Sequence, residues 1–250
     1  MARSSSDHFS LLAPAHQAAI RQLPPRQDVR YEVKFSLTNA ELPHALGWVT
    51  THACGFRKAF PDRFVNNIYM DTADLQAYEE NAAGIGDRDK LRFRWYGDTW
   101  AASAGTLEVK CRSDSVGWKW TARVLRPFDL EHATWQQFRD TLRGGLDDLF
   151  VFLLDQQPFV TLVNRYLRSY FVSRDGRVRL TIDREIQSFP QLGRARPALR
   201  FAAHRAQAVV LEVKCAVDDR PLAARVLKDI PWRAARHSKY ATGIESIDNL

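Results

Sequence analysis

Several stretches of the chain alternate charged with apolar positions. Arg30-Tyr31-Glu32-Val33-Lys34, Lys90-Leu91-Arg92-Phe93-Arg94, Leu107-Glu108-Val109-Lys110, Arg177-Val178-Arg179-Leu180-Thr181-Ile182-Asp183 and Leu211-Glu212-Val213-Lys214 share this period of two. Successive side chains of a strand point to opposite faces, so each stretch predicts a strand with one charged and one apolar face. Strands are predicted over 29–37, 66–70, 90–96, 106–112, 117–125, 159–173, 177–186 and 208–216, with another around Phe201. Thr38 and Asn39 are good caps for an amphipathic helix reaching about residue 53, and Asp71-Thr72 caps a short helix ended by Asn81 and the turn at 84–86. Two helical patterns, 133–142 and 146–155, are separated by Gly144-Gly145, and a last helix is predicted over 221–229, before a tail with Ser238-Lys239-Tyr240. Residues 1–27, rich in Ser, Ala, Gln and Pro, read as a flexible arm ahead of one domain over 28–250.

An ordinary half-exposed sheet scatters neutral polar residues over its wet side. Here that side is dense in Arg and Lys. The apolar partners, among them Val33, Phe35, Leu91, Phe93, Leu107, Leu180 and Leu211, need cover, which flanking helices supply. The charged faces then look at one another across the lumen of a closed antiparallel β-barrel, an α+β fold. Burying so many cations unpaired costs several kcal/mol each, so water, carboxylates or a bound anion must meet them. A phosphate chain suits them, because Arg offers a planar bidentate fork and Lys a point charge.

At 250 residues with 45% hydrophobic residues, the chain can bury the core of one large domain. The net charge of +7 points to an acidic partner without choosing one. Cys54, Cys111 and Cys215 lie far apart with no CxxC spacing, so neither a disulfide framework nor a zinc site is suggested, and a reducing compartment fits. The longest purely apolar run, 149–154, is too short to span a bilayer, and the expectation is a cytoplasmic protein without a transmembrane segment. Glu32, Glu108, Asp183 and Glu212 each share a face with a basic residue, as an ion-pair partner or as a ligand for Mg2+ or Mn2+. No histidine has metal-ligand spacing, and His237 reads as a surface residue. Gly84-Ile85-Gly86 lacks the lysine of a P-loop. Trp95 and Tyr96 suit the barrel's outer cover or a nucleotide rim, and no nucleic-acid partner is expected.

The order of Arg30-Tyr31-Glu32-Val33-Lys34-Phe35, Asn67-Ile68-Tyr69-Met70-Asp71-Thr72, Leu91-Arg92-Phe93-Arg94-Trp95-Tyr96-Gly97, Leu107-Glu108-Val109-Lys110, Tyr166-Leu167-Arg168-Ser169-Tyr170-Phe171, the Arg177 to Asp183 stretch, Leu211-Glu212-Val213-Lys214 and Ser238-Lys239-Tyr240 resembles the VTC domain. That is the polyphosphate polymerase domain of the vacuolar transporter chaperone complex, within the CYTH or triphosphate tunnel metalloenzyme superfamily, and the likeness covers roughly 29–247. It implies a triphosphate tunnel fold that moves the γ-phosphoryl of ATP onto a growing polyphosphate chain with Mn2+ or Mg2+. Carried over, Arg92, Arg94, Lys110, Arg168 and Arg179 are the catalytic cations. Lys34 and Lys239 bind substrate, together with the lysine position that falls on Lys119 or Arg123, and Lys214 on its charged strand face is expected to join them. Glu212 is the metal ligand, joined by Glu32. The hydrolytic branch opens with Glu-x-Glu-x-Lys, whereas this chain has Arg30, Glu32 and Lys34, which favours transfer or binding over hydrolysis. The regulatory domain and membrane helices of the eukaryotic polymerases are not expected, so product stays on the side where it is made. The alternatives are a tunnel triphosphatase acting on inorganic or nucleoside triphosphate, and a non-catalytic polyphosphate-binding module.

Overall fold

The computed structural model describes residues 29–86, 88–113, 116–200, 202, 204–235 and 237–246, with backbone only at 113, 116, 204 and 205. The barrel strands are β1 (Arg30–Thr38), β2 (Arg57–Asp71), β3 (Arg88–Tyr96), β5 (Gly105–Ser113), β6 (Val116–Val124), β8 (Phe159–Val172), β9 (Val178–Pro190) and β11 (Ala208–Ala216). They run β9-β11-β1-β6-β5-β3-β2-β8 and back to β9, every pairing antiparallel, which closes the expected barrel. β4 (Ala101–Ala102) and β7 (Phe128–Asp129) form a separate ribbon, and β10 (His204–Arg205) adds to β9.

Among the described residues the circle is thinnest between β1 and β6, which pair there at Arg30 with Gly117 and Tyr31 with Val116. Further along β1 that edge is taken by the chain before the C-terminus: Phe35 bridges to Ala234, and the Ala235 amide donates to the Lys34 carbonyl at 2.9 Å.

The alternation read from sequence is realised on the outer face. Leu91, Phe93 and Trp95 are buried against Phe138 and Leu142 of α3 (Trp135–Arg143) and Phe150, Leu153 and Leu154 of α4 (Asp148–Gln156). Phe35, Leu37, Leu180, Ile182, Leu211 and Val213 pack under Ala45 and Val49 of α1 (Leu42–Thr51) and Val226 of α5 (Arg220–Lys228). At roughly 1.5–3 kcal/mol for each large side chain buried, these two layers hold the barrel while leaving its lumen free for charge. Gly105 permits the first layer, since a Cβ there would lie 2.1 Å from the Phe93 ring.

Most elements end within about two residues of the sequence-based expectation. β2 is much longer than 66–70, because Pro61, which argues against a strand, sits among register shifts between Lys58 and Arg63 where a bulge tolerates it. β9 continues past 186 to Pro190, beyond an irregularity at Glu185, whose φ of 54° lies opposite the register shift in β8. The short helix α2 (Gln76–Ala82) starts later than Thr72, yet Asp71 still serves its start, accepting from the Ala77 amide at 3.0 Å and the Tyr78 amide at 3.2 Å. The tail is corrected to a helix, α6 (Lys239–Glu245), capped by the Ser238 hydroxyl. Phe201 and the arm at 1–27 lie outside the described residues. The three cysteines are free thiols, and among the described residues no helix is long and apolar enough to cross a membrane.

Candidate functional site

Inside the barrel the opposite parity collects the charges. A cavity of about 500 Å3 is lined by eight basic side chains, Lys34, Arg88, Lys90, Lys110, Arg112, Arg168, Lys214 and Lys239, against three carboxylates, Glu32, Glu212 and Glu245. Strand register places them: Glu32 lies opposite Lys214 and Lys34 opposite Glu212 across β1 and β11, Lys90 opposite Lys110 across β3 and β5, and Arg168 opposite Asp183 across β8 and β9.

The carboxylates are shared among these cations. Glu32 faces Lys34 at 3.1 Å, Lys110 at 3.5 Å and Lys214 at 3.7 Å. Glu212 faces Lys214 at 2.8 Å, Lys34 at 3.6 Å and Arg168 at 3.8 Å. Fully buried Asp183 accepts two bonds from Arg168, at 2.5 and 2.7 Å, and one from Lys239 at 2.5 Å. Burial pushes the Glu32 and Asp183 carboxyls up, and the ammonium and guanidinium groups around them pull both below the usual carboxylate range. At Lys110 the attraction of Glu32 favours the charged form, but burial with the repulsion of Lys34 and Lys214 outweighs it and lowers the pKa to about 7. The lumen thus holds more positive charge than its own carboxylates neutralise.

A second cluster adjoins the first. Glu108 takes Arg92 at 2.5 Å, Lys119 at 2.9 Å and Arg94 at 3.8 Å. Arg94 also donates to Asn67 at 2.8 Å, and Asn67 to Asn164 at 2.8 Å. Tyr166 joins the clusters: its ring lies 5.1 Å from the Arg168 guanidinium and 4.6 Å from the Lys239 ammonium, while its hydroxyl is 3.4 Å from Arg94. Beside it, Val65, Ile186 and Val210 make a small apolar layer. Elsewhere α6 fills the barrel: Tyr240 stacks on Tyr69 at 5.0 Å, its hydroxyl donates to Asp71 at 2.6 Å, and Ile244 packs with Leu162.

Of the residues singled out in sequence, Lys34, Lys110, Arg168, Lys214, Lys239, Glu32 and Glu212 meet at the cavity, and Arg92, Arg94 and Lys119 form the adjoining cluster. Arg179 and Arg123 are exposed and outside the cavity lining, although parity puts both on the lumen side of their strands. Lys119, not Arg123, reaches the Glu108 cluster. The expectation of a surface His237 is corrected: it is half-buried and lines the cavity, just after the chain at 234–235 that fills the gap beside β1. Burial and the nearby Lys239 and Lys34 lower its pKa to about 4, so it is neutral at pH 7. Trp95 belongs to the outer core, and half-exposed Tyr96 stacks under Arg63 at 4.3 Å. Lys90, read as lumen-facing but assigned no role, lines the cavity, as do Arg88 and Arg112, which sequence reasoning missed although each shares the parity of its strand's assigned cations.

Glu32 and Glu212 provide adjacent oxygen ligands. Two carboxylates fit a Mg2+-type or Mn2+-type ion that keeps water and takes its remaining ligands from phosphate, and they do not make an all-protein cage. Among the described residues no group of three or more His, Cys, Asp and Glu converges. Thr181 Oγ1, Asn164 Nδ2 and His237 Nε2 are buried without a hydrogen-bond partner among the described residues, and phosphoryl oxygens would satisfy such groups.

No curated protein sequence matches the chain. Among solved structures, a candidate adenylate cyclase from Vibrio parahaemolyticus is 12% identical with a TM-score of 0.46, the match covering 88% of this chain and 97% of that one. The Schizosaccharomyces pombe Mediator head module is 10% identical with a TM-score of 0.37, over 88% of this chain and 92% of that one. Neither likeness bears on function. The family model for the VTC domain matches residues 29–248, and the protein belongs to the VTC domain family.

Proposed function

We propose that this cavity binds a nucleoside triphosphate and a linear polyphosphate, and transfers the γ-phosphoryl of ATP to the chain end. The supporting observation is the cationic surplus of the lumen, eight basic side chains to three carboxylates around one cavity. Phosphoryl transfer passes through a loose transition state, so catalysis consists of positioning and charge stabilisation. Lys34, Lys110, Lys214 and Arg168 hold non-bridging oxygens of the reacting phosphates, and Arg92 and Arg94, set by Glu108 and Asn67, hold the next. The acceptor is itself an ionised phosphate, so neither a protein nucleophile nor a general base is required, which suits a neutral His237. A divalent cation held by Glu212 and Glu32, when bound, supplies charge neutralisation across neighbouring phosphates. Arg123 and Arg179, exposed beyond the cavity, steer the polyanion inward. ATP as donor makes the cytoplasm the expected compartment.

One observation favours a second reading, hydrolysis of a triphosphate. α6, with Tyr240 and Ile244 packed on Tyr69 and Leu162, occupies lumen space that a long chain would need. Incubation of the purified protein with ATP and Mn2+, followed by gel separation of products, distinguishes the two. Acid-insoluble polymer is expected. Orthophosphate alone would move the protein to the triphosphatases, and a melting shift with polyphosphate but no turnover would make it a binding module. Arg92→Ala, Arg94→Ala and Glu212→Ala are each expected to abolish turnover with the fold intact, and full activity in any of them would refute its role.

A further inference from the structure

Lys90 stands apart from the other lysines of the cavity. Its ammonium donates to Asn81 Oδ1 at 2.7 Å and Ser238 Oγ at 2.9 Å, and lies 5.6 Å from the centre of the Tyr240 ring. These partners are neutral, and among the described residues Lys90 makes no ion pair, whereas Lys34, Lys110, Lys214 and Lys239 each face a carboxylate. It is half-buried, and burial with the repulsion of Arg88, Lys110 and Lys34 outweighs the attraction of Asp71 and pushes its pKa well below the ordinary lysine value. Strand register sets its position. Lys90 lies directly across from Lys110, and Lys110 reaches Glu32, so the path from the Glu32 and Glu212 pair through Lys110 to Lys90 runs away from that pair, toward Asn81 of α2 and Ser238 ahead of α6.

We infer that Lys90 is a chain-length subsite, binding phosphate of a linear polyphosphate that extends beyond the triphosphate held near the two glutamates. This rests on the phosphate-transfer reading of the cavity. An ammonium oriented by two neutral acceptors, with no carboxylate at ion-pair distance among the described residues, is favoured in its charged form when an anion enters. Its separation from the carboxylate pair by Lys110 assigns that anion to the continuation of the chain. A longer chain gains this contact and a triphosphate does not.

Calorimetric titration with inorganic tripolyphosphate and with long-chain inorganic polyphosphate tests it, on the wild-type chain and on the Lys90→Gln and Lys90→Arg variants. Lys90→Gln is expected to weaken long-chain binding roughly tenfold, the scale of one charge-assisted hydrogen bond, with under about a twofold effect on tripolyphosphate. Lys90→Arg restores the long-chain affinity. Proton uptake on long-chain binding, obtained from buffers of different ionisation enthalpy, falls in Lys90→Gln. Equal weakening of both ligands, or of neither, overturns the subsite while leaving the reading of the cavity standing. Failure of wild type to bind either ligand overturns both.

Discussion

Replacing Glu108 with glutamine removes one negative charge from the point where Arg92, Arg94 and Lys119 converge. Glu108 is 2% exposed, and the Arg92 and Arg94 side chains are 14% and 10% exposed, so water cannot take over as counterion. Removing one partner of a buried ion pair costs about 3–5 kcal/mol. Lys119 is 32% exposed and contributes little, and glutamine keeps an acceptor for Arg92, so a loss near the lower bound, about 3 kcal/mol, is expected. Urea unfolding followed by tryptophan fluorescence measures it. Tripolyphosphate should return more of the stability in the variant than in wild type, because its charge replaces the carboxylate that was removed, and a ligand at a hundredfold excess over Kd contributes about 2.7 kcal/mol. A variant within about 0.5 kcal/mol of wild type, or equal stabilisation of both by tripolyphosphate, would refute the electrostatic account of this cluster.

Lys110 titrates near pH 7 in the fold against an ordinary value of 10.5, so between these limits the unfolded chain binds the extra proton. Stability of the ligand-free protein should therefore rise with pH across that window, by up to about 1.4 kcal/mol per pH unit, and Lys110→Met should flatten the rise; urea midpoints from pH 7 to 10 check this, and identical profiles would contradict it. Tyr240→Phe removes the 2.6 Å bond to buried Asp71 that ties α6 to the start of α2. A cost of about 1–2 kcal/mol and faster amide exchange in both helices are expected, and unchanged exchange would show that stacking on Tyr69 alone holds α6.

The barrel was legible because its signal is local. Leu91, Phe93 and Trp95 alternate with Lys90, Arg92 and Arg94, and this period of two assigns each side chain to the outer core or the lumen. The same parity brought Glu32, Lys34, Glu212 and Lys214 to one cavity. What stayed hidden depends on contacts distant in sequence. α6 is a seven-residue helix containing Gly243, too short to stand on propensity, and it is held by Tyr69, Asp71 and Leu162, far away in the chain. The burial of His237 follows from the chain at 234–235 taking the β1 edge at Lys34 and Phe35. The exposure of Arg123 and Arg179 depends on where along the barrel each residue falls, which alternation does not encode. β2 extends well before residue 66 because the fold absorbs Pro61 in register shifts against β8, which no local pattern announces.

A structure of the protein with tripolyphosphate tests the central claim most directly. The account predicts phosphate density inside the barrel, within hydrogen-bond reach of Lys34, Lys110 and Lys214. Density confined to the outer surface, or an empty lumen at a concentration that saturates binding, would contradict it.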